Sequence, residues 1–317
     1  MKFAAAAIAA AVVLGLPASN AFACQSCGCT LSDWSAQGYS PGEGLRVDYR
    51  FDYVDQGQLR SGTRAVDRAS IAFPATEEVQ QGTTTRFENL ALDWSPTADW
   101  GVNALVPYID RDHSTVAAGD TATSTSETRG IGDARIVGRY QGFLPNRSVG
   151  VQIGLKLPTG DFRDTFSSGP QAGQPVDRGL QAGSGTTDAL LGAFNAGALS
   201  RSLDRFEALQ LQVPLNEREG FKPGTQVTAN AGLRYLWTGW FVPQLQLNVR
   251  WEGRESGVNA DRDNSGGTTV LLSPGVGSTL SRQFIAFAIV QVPVYQNLHG
   301  LQLVPRYNAA IGLRFIP

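Results

Sequence analysis

The chain has 317 residues and a net charge of −2, and only 17% of its residues are charged. Soluble domains carry roughly 25% charged residues, so part of this surface is expected to contact something other than water. The near-neutral charge gives no basic footprint, and we expect no nucleic-acid partner.

The N-terminus has the features of a cleaved secretory signal. Lys2 precedes an apolar stretch over 3–16, and Ala21 and Ala23 stand at the two positions where signal peptidase requires small residues. This stretch is shorter than the roughly 20 residues of a membrane-spanning helix, and no later segment is apolar over that length. The sequence therefore predicts a signal peptide over 1–23 and no membrane-spanning helix.

All three cysteines follow the predicted cleavage point, in an N-terminal segment over 24–44. Cys24, Cys27 and Cys29 lie within one six-residue stretch. Four uses of this cluster stay open: a copper or zinc site, since thiolates bind soft ions; one disulfide with one thiol left over; a lipid on Cys24; or a staple that fixes the segment against the rest of the chain. We carry the metal site forward as a hypothesis.

Residues 45–53 alternate without exception between apolar and charged side chains. This period of two predicts a strand with one apolar face and one charged face. Such a strand fits either a soluble sandwich or a membrane barrel, whose apolar face meets lipid and whose polar face lines a wet interior. Similar segments of about ten residues, long enough to cross a membrane when tilted, recur along the chain. The sequence predicts about twelve strands, near 45–53, 88–94, 100–108, 131–142, 149–157, 187–200, 205–215, 227–235, 245–251, 268–280, 283–295 and 303–316.

The predicted connections alternate between long and short. Long polar stretches cover 55–82, 111–129 and 159–186, whereas tight turns separate the strands between them, as at 95–97. Outer-membrane barrels have long loops outside and tight turns in the periplasm, and an even number of strands places both termini in the periplasm. The sequence therefore predicts an all-β fold over 45–317: a transmembrane, antiparallel, up-and-down β-barrel in the outer membrane.

The polar faces of these strands carry charges of both signs. In a barrel they would line the lumen, where paired or opposed charges set selectivity. A barrel of about twelve strands has a narrow bore, which favours small solutes. No residue pattern resembles a catalytic triad or a helical zinc site, so we expect no enzyme activity. The predicted lumen-lining residues are Arg46, Asp48, Arg50, Asp52, Asp133, Arg135, Arg139, Lys156, Arg234, Asn248, Arg250 and Arg314.

Three short glycine-containing stretches lie in the middle of the chain: Gly-Ile-Gly-Asp at 130–133, Lys-Leu-Pro-Thr-Gly at 156–160 and Gly-Thr-Thr-Asp at 185–188. They resemble motifs of the outer-membrane family named for the MetA pathway of phenol degradation. Without the family, Pro158 and Gly160 are explained as an ordinary strand exit, since proline cannot donate to the ladder and glycine permits a turn. The resemblance implies a channel-type barrel that takes up small apolar or aromatic compounds.

Two hypotheses for the function follow. The first is an outer-membrane channel or transporter, with membrane lipid and a small solute as its partners. The second is a structural barrel that anchors the N-terminal cysteines, which bind a metal ion or a periplasmic partner. In either case the last strand, with Phe315 near its end, resembles the terminal signal for the barrel-assembly machinery, although the final Pro317 departs from the usual aromatic residue.

Overall fold

Strands account for nearly all of the regular structure, as the period-two pattern predicts. A computed structural model describes residues 42–237 and 240–317. No helix among these residues is long and apolar enough to cross a membrane. The strands are β1 (Gly44–Gly62), β2 (Arg64–Val66), β3 (Val79–Ser95), β4 (Trp100–Val116), β5 (Ser124–Ile131), β6 (Arg135–Tyr140), β7 (Val149–Lys156), β8 (Asp188–Ala198), β9 (Leu203–Pro214), β10 (Gln226–Tyr235), β11 (Val242–Glu252), β12 (Gly267–Thr279) and β13 (Phe284–Phe315). Two short 3₁₀ turns cover Arg68–Ser70 and Arg178–Leu180.

Antiparallel pairing closes the sheet into a barrel. Each ring strand pairs with the next one along the ring, and β13 pairs back to β1, with Val47 opposite Phe315. Eleven strands form this ring. The other two lie outside it: β2 pairs with the C-terminal end of β1, and β5 pairs with the C-terminal end of β4. The predicted all-β antiparallel barrel is confirmed at this level.

The strand count differs from the prediction because β13 is continuous. Its first half pairs with β12 and its second half with β1, both antiparallel, so the chain reverses within β13. The reversal lies at Gly300, whose φ of 55° suits a residue without a Cβ atom. The two segments predicted at 283–295 and 303–316 are therefore one continuous strand that runs the length of the barrel wall twice, in opposite directions.

The outer face of the barrel is apolar and the inner face polar. On β1, Leu45 is 43% exposed whereas its neighbour Arg46 is 3% exposed, and the same alternation recurs around the ring. A soluble sandwich would bury its apolar face instead, so this arrangement excludes the sandwich alternative. Aromatic side chains gather near the short turns, as where the exposed Trp100 and the half-buried Tyr140 pack with ring centroids 4.6 Å apart. Such girdles are typical of the lipid interface.

The long connections lie at one end of the barrel and the short turns at the other. Val47, the first residue of β1 that pairs with β13, lies opposite Phe315, the last residue of β13, so both ends of the barrel chain lie at the short-turn end. Two loops are shorter than predicted. Residues 111–129 mostly extend β4 and β5, and β1 and β3 both continue into 55–82. These extensions are mostly polar on both faces, so they lack the alternation of apolar and polar residues that marks a strand in sequence.

Candidate functional site

All twelve side chains predicted to line the lumen lie on the inner face of the barrel. By the exposure of the whole residue, backbone included, nine are buried and three are half-buried. Their part in conduction stays a prediction. The buried residues are Arg46, Asp48, Asp52, Arg139, Lys156, Arg234, Asn248, Arg250 and Arg314, and the half-buried ones are Arg50, Asp133 and Arg135.

A buried carboxylate joins two of the predicted arginines at the short-turn end. Asp93 on β3 accepts a hydrogen bond of 2.7 Å from Arg46 and one of 3.1 Å from Arg139, and Ser95 accepts from both arginines. The sequence analysis missed Asp93. It lies directly opposite Arg46 on the neighbouring strand, so only the strand register reveals the pair.

A second ion pair lies at the seam where the barrel closes. The guanidinium of Arg314 on β13 donates to both oxygens of Asp48 on β1, at 2.6 and 2.7 Å, and both side chains are buried. A bidentate pair of this kind fixes orientation as well as charge. It therefore favours one register between the first and last strands of the ring.

The part of the wall formed by β10, β11 and β12 carries a row of buried amide side chains. Asn248 on β11 donates to the side-chain oxygen of Asn230 at 2.7 Å and accepts from Ser273, so three neighbouring strands share one buried network. Next on the same face of β11, Arg250 pairs with Glu252. This wall is polar along its length.

The long connection over 157–187 folds into the barrel. Ala182 packs in a buried cluster with Val54, Phe87 and Ile109, which belong to the inner faces of β1, β3 and β4. Burying these side chains against one another holds the loop on that wall. We call residues 157–187 the inserted loop.

A charged cluster of Asp133, Lys156 and Asp188 lies where the inserted loop leaves and rejoins the barrel wall, and we call it the neck cluster. Asp133 accepts from the backbone N–H of Gly160 at 3.1 Å and from that of Ser184 at 2.9 Å, so it holds both ends of the loop. The Lys156 ammonium lies 3.0 Å from Asp133 and 3.1 Å from Asp188. All three charged side chains have exposures of 9% or less.

The three stretches that carry the family resemblance meet in this neck cluster. Asp133 comes from the first, Lys156 and Gly160 from the second, and Asp188 from the third. Their interpretation as a simple strand exit accounts for the turn but not for the buried ion pairs. The shared spacing of small and charged residues is the sequence signal for the cluster, but only the fold brings the three stretches together.

A cavity of about 240 Å³ lies between the inserted loop and the barrel wall. One side of the cavity is apolar, formed by Phe87, Leu105, Pro107 and Ile109, and the remainder is mostly polar or charged. The sequence analysis missed this apolar side. Residues 104–109 are apolar at every position, so a strand made of them is apolar on both faces, and the lost alternation is the signal that marks the site.

An acidic group lies among the outer loops. Burial, together with the carboxylates of Glu78 and Asp261, raises the pKa of Asp177 to about 7. Burial also raises the pKa of Glu78. Residues from the inserted loop and from the 253–266 connection therefore meet through carboxylates that repel one another when ionised.

The cysteine hypotheses concern a part of the chain outside the described residues. Cys24, Cys27 and Cys29 precede residue 42. Over 42–237 and 240–317, no group of three or more His, Cys, Asp or Glu side chains is arranged to hold a metal ion. The copper or zinc site therefore stays a prediction about the N-terminal segment.

The barrel is similar to solved outer-membrane structures. An outer membrane channel from Pseudomonas putida F1 aligns with a TM-score of 0.63 and 11% identity, over 87% of this chain and 96% of that chain. The transport unit of the autotransporter AIDA-I from Escherichia coli aligns with a TM-score of 0.52 and 9% identity, over 92% and 94%. The translocator domain of the autotransporter NalP from Neisseria meningitidis aligns with a TM-score of 0.50 and 11% identity, over 89% and 91%.

No family model and no curated protein matches the sequence. At these identities the structural likeness establishes the fold, which is that of an outer-membrane β-barrel. The MetA-family resemblance stays a prediction.

Proposed function

We propose that this chain is an outer-membrane channel that admits small solutes through a bore narrowed by the inserted loop. The observation that carries the proposal is the cavity of about 240 Å³, lined by both charged and apolar side chains, inside a barrel whose outer face is apolar. An apolar exterior suits lipid, and a hydrated interior suits a transported solute. The short-turn end, with both ends of the barrel chain, then faces the periplasm, and the inserted loop enters from outside.

The size of the cavity limits the solute. Drug-sized ligands occupy pockets of roughly 300–1,000 Å³, and a benzene-sized molecule fits a cavity of about 150 Å³. A cavity of about 240 Å³ therefore suits a solute of one ring or a short chain. This agrees with the small apolar or aromatic compounds that the resemblance implies.

Reconstitution in planar bilayers tests the proposal. Heat-modifiable migration on a gel first identifies folded barrels, and we expect these to give discrete, small single-channel currents. Liposome swelling with solutes of increasing size should show a sharp cut-off near one aromatic ring. Folded barrels that give neither current nor solute flux would contradict the proposal.

The cysteine cluster supports a second role at the N-terminus. Three thiols within one six-residue stretch provide enough ligands for a soft metal ion, and the barrel would then anchor a metal-binding segment. The test replaces Cys24, Cys27 and Cys29 with serine in the full chain. Loss of bound zinc or copper with an unchanged single-channel current would assign the metal to this segment; equal metal content in both proteins would remove the hypothesis.

A further inference from the structure

Arg135 is a cation whose side chain faces the cavity. It lies on β6, half-buried, and its side chain makes no hydrogen bond or ion pair with any residue in the described ranges. The residues directly opposite it are Leu105 on β4 and Lys156 on β7, neither of which is an acceptor. A guanidinium has five N–H donors, so those of Arg135 are available to water or to an incoming acceptor.

The two carboxylates of the neck cluster, which also line the cavity, already accept hydrogen bonds from other residues. Asp133 accepts from Lys156, from Ser184 and from the Gly160 backbone. Asp188 accepts from Thr186 at 2.8 Å and from Gln212 at 2.6 Å, and lies 3.1 Å from Lys156. The neck cluster thus sets two carboxylates around one ammonium, and none of the contacts of these carboxylates is with the Arg135 side chain.

The charges around the cavity favour an anion. Its lining contains six cationic and five acidic side chains. Among the acidic ones, Asp52 lies 2.8 Å from Arg50, and Glu252 pairs with Arg250 in the same way. The lining therefore carries one positive charge in excess, within walls of low dielectric where a single charge acts strongly.

The apolar side of the cavity adjoins this cation. Leu105 is the direct cross-strand neighbour of Arg135, which places their Cβ atoms roughly 5 Å apart. Pro107 and Ile109 follow on the same face of β4, and Phe87 lies opposite Ile109. The Arg135 side chain and the apolar surface therefore begin side by side on the wall of one cavity, so a single small molecule can contact both.

We infer that this cavity is a binding site for a small monocarboxylate with an apolar or aromatic body, whose carboxylate binds Arg135 and whose body packs on Leu105, Pro107 and Ile109. The inference rests on the proposed channel function and specifies its substrate class. A guanidinium binds a carboxylate through two parallel hydrogen bonds, so charge and orientation are recognised together. Neutral aromatic compounds lack the carboxylate that binds Arg135, and small inorganic anions lack the body that packs on the apolar side chains.

The experiment uses the full chain in planar bilayers and three probes. Benzoate has both features, benzyl alcohol has the ring alone, and acetate has the carboxylate alone. Each probe is titrated against the chloride current, and its binding is measured in parallel by calorimetry in detergent. We expect half-block by benzoate at a concentration at least about tenfold below that of either other probe, because one charge-assisted contact is worth about tenfold or more.

Two variants localise the effect. Arg135→Gln should weaken benzoate block about tenfold and leave benzyl alcohol unchanged, whereas Arg135→Lys should recover part of the loss. Arg129→Gln is the matched control, since that arginine side chain is 56% exposed on β5, outside the cavity. Heat-modifiable migration identifies the variants that fold.

The outcomes separate this inference from the proposed channel. Chloride current with equal benzoate block in wild type and Arg135→Gln would overturn the binding site and leave the channel intact. Arg135-dependent benzoate binding in detergent without any current would overturn the channel and keep the site. Block by benzyl alcohol as strong as that by benzoate would assign the cavity to neutral aromatic compounds instead.

Discussion

The Lys156 ammonium lies 3.0 Å from a carboxylate oxygen of Asp133, where the inserted loop leaves the barrel wall. The same oxygen accepts from the backbone of Ser184, at the far end of the loop. This pair therefore fixes both the departure of the loop and its return. The width of the bore then depends on a buried charge cluster at its edge.

Replacing the lysine of this cluster should release the inserted loop. Lys156→Met leaves Asp133 and Asp188 buried without their shared cation, and breaking a buried pair in this way costs about 3–5 kcal/mol. We expect faster proteolysis within 157–187 and a larger single-channel current. Lys222→Met, on an outer connection, is the control and should change neither. Wild-type proteolysis in Lys156→Met would show that the apolar contacts of the loop and its hydrogen bonds to Asp133 hold it without the lysine.

Position 312 requires glycine because the aromatic ring of Phe287 lies directly over it. A Cβ atom added at Gly312 would lie 2.0 Å from a ring carbon of Phe287, whereas one added at Gly197 would meet nothing within 4 Å. Gly312→Ala should therefore destabilise the barrel by about 1–3 kcal/mol, the cost of overpacking, and Gly197→Ala by no more than about 0.5 kcal/mol. The temperature at which heat-modifiable migration is lost measures both. Gly312→Ala combined with Phe287→Leu should recover stability; equal losses in the two glycine variants would refute the steric explanation.

The faces of the strands could be predicted from the sequence because period two is a local property. Leu45 and Arg46 point to opposite sides in any strand, and the apolar side of a barrel must face lipid. The inserted loop could not be predicted this way. Ala182 contacts Val54, Phe87 and Ile109, which are distant in sequence, and nothing in its own neighbourhood marks it as buried.

The charged pairs depend on register, which the local pattern leaves open. Arg46 was predicted to face inward, but its partner Asp93 follows only once residue 46 is known to lie opposite residue 93. Arg135 likewise shows that the local pattern predicts the direction of a side chain but not its partners. Its inward direction is local, whereas its lack of a partner is a property of every strand around it.

The seam between the first and last strands should depend on its ion pair. Arg314→Met leaves Asp48 buried and unpaired, and we expect a loss of about 3–5 kcal/mol. Arg314→Met together with Asp48→Leu removes both charges and should regain most of that stability, since apolar replacement of a buried pair is often neutral. Refolding into lipid vesicles, followed by heat-modifiable migration, measures the three proteins. A double variant as unstable as the single one would contradict this explanation and show that the stability depends on the hydrogen bonds of the pair and not on charge balance.

The outer loops should pack more tightly in acid than in base. The pKa of Asp177 is raised from 3.8 to about 7, first by burial and then by Glu78 and Asp261. A raised pKa means that the packed state binds the proton more tightly than the unpacked state, so packing is stabilised at low pH. That stabilisation is lost as the pH rises from about 4 through 7.

Current and proteolysis at two pH values test this sign. We expect a smaller current and slower proteolysis within 157–187 at pH 5 than at pH 8, because neutral Asp177 no longer repels Glu78 and Asp261. Asp177→Asn should keep the acid behaviour at both pH values. Asp263→Asn is the control, since that side chain is 94% exposed on the same outer face as Asp261. A pH dependence that survives in Asp177→Asn would place the titrating group elsewhere, and a larger current in acid would contradict the sign itself.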